Sequence, residues 1–166
     1  MSGTVQKTFH VLALHRHFGI MTIAIGSDHR GYELKNTLNN WFKNSHEIVD
    51  VGTDSAESCD YSDFALKVAQ KVGSGEAELG ILICGTGIGM SIAANKVKGV
   101  RAARVCTVKD AEMTKRHNNA NVLCLGADTG VDEDLAKGII TAWLEVEFEG
   151  GRHERRIGKI TEFENG

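Results

Sequence analysis

The 166-residue sequence contains no proline, no excess of basic residues and no apolar run long enough to cross a membrane. Without proline, the turns must be formed by the 19 glycines and by Asn, Asp and Ser. The 22 acidic residues outnumber the 19 basic ones, and the net charge of -3 excludes a polybasic surface for nucleic acid or anionic lipid. The expected partner is therefore a small molecule.

The cysteines form neither a disulfide framework nor a zinc motif. The sequence has four cysteines and no C-x-x-C pair, and three of them lie in apolar, strand-like runs: Cys84, Cys106 and Cys124. This pattern indicates reduced thiols in a cytoplasmic protein. The length and the 42% hydrophobic content suit one well-buried domain and are too small for two.

A complete strand-like start begins at Met21, so residues 1–20 are predicted to be an extension and residues 21–166 the domain. The extension has one Lys and one Arg and interrupted apolar segments, which makes it a poor signal peptide and no transmembrane helix. Its three histidines, His10, His15 and His17, are more typical of incidental residues than of a metal site.

Short β-branched runs alternate with amphipathic helical patterns after Met21. The predicted strands are 22–26, 46–51, 80–84, 100–106 and 121–126, and the predicted helices are 30–44, 61–73, 87–96, 109–117, 132–146 and 152–163. This alternation predicts an α/β fold: a single Rossmann-like, three-layer αβα domain with a five-stranded parallel sheet and a C-terminal helix. In such sheets, ligands bind outside the carboxyl ends of the strands.

The segment "LGILICGTGIGMSIAANK" (79–96) runs from a strand through a glycine-rich turn into a helix. Its glycines, Gly85, Gly87 and Gly89, do not match the dinucleotide motif, and the Lys of a P-loop is missing. The turn is instead suited to bind an anion with its backbone amides. Cys84, just before the turn, stands where the thiolate is favoured, although a buried structural cysteine is the alternative.

Other candidates also have structural alternatives. Asp28 and His29 follow the first strand. They are expected either to face a ligand or to cap the helix that follows. His117 ends a helix, where the helix dipole favours the imidazolium form. The alternative is that His117 only caps the helix. Arg152 and Arg156 are four residues apart on one helix face. This spacing suits binding of a phosphate or a carboxylate, and the alternative is a charged face in solvent.

The chain resembles the sugar-phosphate isomerase family in six segments: "GSDHRGYELK", "DYSDFA", "ILICGTGIGMSIAANK", "GVRAA", "HNNANVL" and "EGGRHERRI". The family includes ribose-5-phosphate isomerase B and the galactose-6-phosphate and allose-6-phosphate isomerases. The resemblance covers residues 21–163. It implies interconversion of ribose 5-phosphate and ribulose 5-phosphate in the pentose phosphate pathway, without metal or cofactor. It also implies a homodimer, or a tetramer, with active sites at the subunit interface.

The resemblance assigns roles to individual residues. Cys84 is implied to be the base that moves the carbon-bound proton, with Thr86 stabilising the enediolate. His117 and Asp28 are implied to open the furanose ring. The implied substrate-binding residues are His29, Arg152 and Arg156 for the phosphate, Tyr61 and Asn118 for the sugar, and the amides of Gly85, Gly87 and Gly89 for the oxyanion.

Two positions depart from the family pattern. One branch of the family has a glutamate base where this chain has Met90, so the chain belongs with the cysteine branch. Many members have a phosphate-binding arginine where this sequence has Asp128. The sequence therefore predicts that Asp128 points away from the phosphate, or that His29, Arg152 and Arg156 bind it alone.

Three other functions remain open from the sequence. The same motifs suit an isomerase of allose or galactose 6-phosphate, because pocket length cannot be read from a sequence. They also suit a sugar-phosphate-binding module without catalysis. A redox sensor that uses Cys84 would need a second, resolving cysteine near it.

Overall fold

The computed structural model describes residues 19–166, and the predictions for residues 1–18, including the three histidines, lie outside this range. The strands are β1 (Thr22–Ser27), β2 (Glu47–Asp50), β3 (Leu79–Cys84), β4 (Ala102–Arg104) and β5 (Val122–Gly126). The helices are α1 (Tyr32–Phe42), α2 (Tyr61–Ser74), α3 (Ile88–Ala94), α4 (Val108–Asn118), α5 (Glu133–Glu145) and α6 (Arg152–Asn165). The predicted α/β fold is confirmed.

The five strands form one parallel sheet in the order β2-β1-β3-β5-β4. The chain moves outward from β1 to β2 and then returns to the other side of β1, so the strand order reverses between β1 and β3. Such a reversal opens a crevice at the carboxyl ends of the two strands. Asp28 directly follows β1 and its N–H donates to the carbonyl of Ile83, next to Cys84 at the end of β3 (3.2 Å). These two residues therefore border the crevice.

Helices cover both faces of the sheet. On one face, α1 and α5 pack on the strands through buried residues that include Leu38, Ile139 and the fully buried Trp143. On the other face, Val68 of α2 and Met90 of α3 pack against a second set of strand residues. Every residue of β3 is buried because this central strand has a helical layer on each side.

Local sequence signals set the start of two helices. Thr107 precedes α4 and forms a capping box with Asp110, in which side chain and backbone exchange hydrogen bonds. Asp132 accepts from the Leu135 N–H at the start of α5 (2.9 Å). These caps satisfy amides that have no partner in the first turn of a helix.

The predicted bounds of β4 and the predicted start of α1 are wrong. β4 is an edge strand and pairs with β5 over only Ala102–Arg104, whereas 100–106 was predicted. Cys106 therefore lies in the loop before α4, where its N–H donates to Asp110 (3.4 Å), and not in a strand. α1 begins at Tyr32, two residues later than predicted, because Asp28 first closes a tight turn by accepting from the next backbone amides.

The C-terminal helix α6 lies outside the three layers and packs against α4. Its apolar residues Ile160 and Phe163 are exposed, the latter at 88%. Among residues 19–166, no helix combines the length and apolarity needed to cross a membrane.

We expect Gly31→Ala to lower the free energy of unfolding by about 1–3 kcal/mol, because overpacking forces the backbone to shift. A Cβ at Gly31 would lie 2.5 Å from the carbonyl oxygen of Ile83. Gly138→Ala is the matched control, since its Cβ would meet only Val108 at 3.6 Å in mid-helix, and it should stabilise by about 0.4–1 kcal/mol. Urea unfolding measures both, and equal stability of the two variants would contradict this packing.

Candidate active site

Cys84 is the last residue of β3, and its side chain is only 5% exposed. The N–H of Gly87 donates to its sulfur at 3.1 Å. A backbone donor directed at sulfur stabilises a thiolate, which is the nucleophilic and basic form of cysteine. The structure thus places a backbone donor against the Cys84 sulfur, beside the glycine turn.

Gly87 and Gly89, in the turn after Cys84, each allow another part of the chain to approach where a Cβ would not fit. Gly87 has a φ of +75°, and a Cβ there would also lie 3.2 Å from the Cys124 carbonyl. A Cβ on Gly89 would lie 2.6 Å from the Tyr61 ring, so Tyr61 covers the start of α3. Tyr61 therefore lies beside the turn.

Thr86 is exposed on this turn and accepts two hydrogen bonds, one with its side chain and one with its backbone. Its hydroxyl oxygen accepts from the Ile88 N–H (3.2 Å), and its carbonyl accepts from Arg104 Nε (2.6 Å). The hydroxyl proton remains available as a donor to a ligand. Arg104 is a contact to the turn that sequence reasoning missed.

Asp28 and His29 lie in the loop that follows β1, at the same edge as Cys84. One carboxylate oxygen of Asp28 accepts from the N–H groups of Arg30 (2.9 Å) and Gly31 (3.2 Å), while the side chain is buried. His29 Nδ1 accepts from the Cys59 N–H (3.3 Å). This bond places the proton of neutral His29 on Nε2, which can donate to an anion.

Asp128 does not point away from the turn. A Cβ on Gly85 would lie 2.7 Å from the Asp128 carboxylate, so the acid packs directly on the glycine turn. Arg30 Nε donates to the same carboxylate oxygen at 2.7 Å. Hydrogen bonding to Asp128 is the main cause that raises the pKa of Arg30. Neither sequence-based alternative for Asp128 included this partner.

The other predicted residues form a second group at the end of α4. The His117 ring stacks on His153, with centroids 4.3 Å apart and planes 7° from parallel. Glu149 lies 4.0 Å from His117 Nε2 and 3.6 Å from His153 Nε2. Arg152 begins α6 and its Nε donates to His153 (3.4 Å), with Arg156 one turn further on.

One chain does not bring the two groups together. Cys84 lies at the carboxyl edge of the sheet, where the strands end. α4 follows β4 and runs back, so His117 and Asn118 in its last turn lie at the amino edge, where the strands begin. Arg101, just before β4, confirms this position by donating to the Asn118 carbonyl (3.0 Å). We call these groups the carboxyl-edge half-site and the amino-edge half-site.

The side-chain types in His117, Glu149 and His153 suit a metal, and their ligand atoms lie within 4.8 Å of one another. A metal bound by two imidazoles must lie near the plane of both rings. Because the two rings are stacked and nearly parallel, their lone pairs do not converge on one point. The geometry therefore describes a stacked pair beside a carboxylate and does not favour a metal centre.

The redox hypothesis requires a second reactive thiol near Cys84. Cys124 lies on the neighbouring strand β5, opposite Leu82 in the register. Its side chain is fully buried, and burial, followed by the negative charge of a Cys84 thiolate, raises the pKa of the Cys124 thiol far above its ordinary value. Cys124 therefore stays protonated and is poorly suited to resolve an oxidised Cys84.

The environment of His153 favours its neutral form. Burial is the main cause that lowers the pKa of His153, followed by the charges of His117 and Arg152. Glu149 acts in the opposite direction, and Arg156 adds a smaller lowering. The unfolded chain, with the ordinary histidine pKa of about 6.5, therefore binds this proton more readily than the folded chain.

We expect the protein to lose stability relative to His153→Gln as the pH falls from 7.5 through about 6.5, because the unfolded state gains the proton first. Unfolding free energies of both proteins at matched pH values measure this difference. Titration of the His153 ring protons by NMR gives the folded pKa directly. A difference in stability that stays constant or grows on acidification would contradict the depressed pKa.

Comparisons with known proteins match this chain to one family. The family model "Ribose/Galactose Isomerase" matches residues 23–160. Ribose-5-phosphate isomerase B of Escherichia coli is 45% identical over 143 residues, which cover 86% of this chain and 95% of that protein.

Two solved structures have the same fold. Ribose-5-phosphate isomerase B of Clostridium thermocellum superimposes with a TM-score of 0.84 at 53% identity, covering 87% of this chain and 98% of that one. The Mycoplasma genitalium ribose-5-phosphate isomerase B, solved with bound ribulose 5-phosphate, gives 0.83 at 46% identity and covers 87% and 96%. The chain therefore belongs to the ribose/galactose isomerase family.

Proposed function

We propose that this protein interconverts ribose 5-phosphate and ribulose 5-phosphate with Cys84 as the proton-transfer base. The observation that carries the proposal is the Gly87 N–H bond to the Cys84 sulfur, in the crevice where the strand order reverses. Three relatives that are 45%, 46% and 53% identical carry the name ribose-5-phosphate isomerase B, and one of them was solved with ribulose 5-phosphate. The reaction needs no metal or cofactor, and we infer a cytoplasmic role in the pentose phosphate pathway.

The chemistry moves one carbon-bound proton. In the open-chain aldose, the Cys84 thiolate takes the proton from C2, the C2–H electrons form the C1–C2 double bond, and the carbonyl oxygen on C1 gains the charge. The thiol then returns a proton to C1, while the proton on the C2 oxygen moves to the C1 oxygen, which yields the ketose. The Gly87 N–H already serves the sulfur, so the proposal assigns enediolate stabilisation to the Thr86 hydroxyl and the amides of Gly85 and Gly89.

Ring opening and phosphate binding use both half-sites. Asp28 and His117 of the partner subunit form the acid/base pair that opens the furanose ring. His29 Nε2 contacts the phosphate from the carboxyl-edge half-site, and Arg152 and Arg156 of the partner subunit contact it from the amino-edge half-site. Tyr61 and the partner's Asn118 contact the sugar.

A homodimer with two-fold symmetry would join the half-sites. α3, beside Cys84, exposes Ile88 and Ile92, while α6, which carries Arg152 and Arg156, exposes Ile160 and Phe163. In a two-fold dimer each patch meets its complement twice, so packing α6 on the partner's α3 buries both apolar surfaces. The same contact carries the arginines toward the partner's Cys84 turn.

We expect Cys84→Ala to slow isomerisation by at least about a hundredfold, because a positioned base contributes about 10²–10⁴. Deuterium exchange from D₂O into C2 of ribose 5-phosphate should fall equally, since the same proton is involved. Binding of ribose 5-phosphate should stay within about threefold, because the phosphate contacts remain. Parallel assays with allose and galactose 6-phosphates test the choice of substrate.

Cys106→Ala is the matched control, because Cys106 is also a free thiol but is only partly buried, in the loop before α4. It should keep full activity and exchange. Exchange at C2 within tenfold of the unsubstituted rate in Cys84→Ala would refute Cys84 as the base. Binding without isomerisation by the unsubstituted protein would favour a non-catalytic sugar-phosphate-binding module.

A further inference from the structure

The carboxyl-edge half-site contains an ion pair that the proposed reaction has not used. Arg30 Nε and the Asp128 carboxylate are 2.7 Å apart, although 98 residues separate them in sequence. Asp128 packs on Gly85, and the Arg30 side chain also passes within 3.8 Å of a Cβ position there. The pair therefore lies on the glycine turn that follows Cys84.

Asp128 on its own would oppose an anionic substrate. A carboxylate on this turn repels a phosphate at short range, especially where water is partly displaced. Arg30 neutralises that charge through a single nitrogen, Nε. The two terminal nitrogens of a guanidinium carry four further N–H donors, and none of them has a partner within residues 19–166.

The position of Arg30 suits a contact with the phosphate. Arg30 directly follows His29, whose Nε2 carries the available proton, and its own N–H is fixed by Asp28. Arg30 is 57% exposed and Asp128 is 42% exposed, so the terminal nitrogens are open to a ligand. An exposed ion pair by itself contributes little to stability, which leaves the pair without a strong structural role.

We propose that Arg30, held over the glycine turn by Asp128, binds the phosphate of the substrate and determines its affinity. Asp128 orients the planar guanidinium, and the terminal nitrogens form charge-assisted bonds to phosphate oxygens. Arg30, in the loop after β1, thus supplies the positive charge that Asp128 cannot supply. This inference rests on the proposed function, because it assigns a phosphate contact in that same site.

The test compares three variants in the full-length protein: Arg30→Ala, the double variant Arg30→Ala/Asp128→Ala, and Lys71→Ala. Lys71 is the matched control, because it forms an exposed ion pair with Glu76 (3.0 Å) at the end of α2, away from the turn. KM and kcat for ribose 5-phosphate are measured together with the Kd for inorganic phosphate by calorimetry.

We expect Arg30→Ala to raise both KM and the Kd for phosphate at least about tenfold, with kcat within about threefold, because a charge-assisted bond is lost and Asp128 is left unpaired. The double variant should bind phosphate more tightly than Arg30→Ala, because the repelling carboxylate is gone. Lys71→Ala should match the unsubstituted protein.

Arg30→Ala values of KM and Kd within twofold of the unsubstituted protein would overturn the proposal and leave the pair as a surface ion pair. Failure of the proposed function is separately visible: the unsubstituted protein would then not isomerise ribose 5-phosphate. In that case the phosphate titration still decides the role of Arg30, since it needs no turnover.

Discussion

The common direction of the five strands is the constraint on which the proposed site depends. Each helix between two parallel strands must return the chain to the amino edge before the next strand begins. Residues at the end of a strand or directly after it, such as Cys84 and Asp28, therefore collect at the carboxyl edge. Residues that end a helix, such as His117, collect at the amino edge, and in the proposed site a second chain brings them to the carboxyl edge.

Charge is arranged differently in the two half-sites. At the carboxyl edge, one carboxylate oxygen of Asp28 accepts hydrogen bonds from backbone amides, and Arg30 neutralises the charge of Asp128. Arg152 and Arg156 lie beside a histidine pair and one carboxylate at the amino edge. A substrate with a phosphate at one end and a neutral sugar at the other suits a site in which cationic donors converge on the phosphate end.

Local patterns predict much of this molecule, and long-range pairing accounts for what they miss. The apolar run of β3 and its glycine turn mark Cys84 as a candidate site residue, because burial and turn chemistry are local. The length of β4 depends on its place at the sheet edge, which a pattern does not contain. The Arg30–Asp128 pair joins residues 98 positions apart, and no local signal marks it. The separation of His117 from Cys84 follows from helix direction once the parallel sheet is known.

Mixing two inactive variants tests the shared site most directly. Cys84→Ala removes the base from the carboxyl-edge half-site, and His117→Ala damages the amino-edge half-site. If each site joins half-sites from two chains, a mixed dimer contains one site with both changes and one site with neither. After unfolding and refolding an equal mixture, half of the dimers are mixed, so activity should recover to about a quarter of that of the unsubstituted protein. Activity no greater than the average of the two separate variants would contradict a site built from two chains.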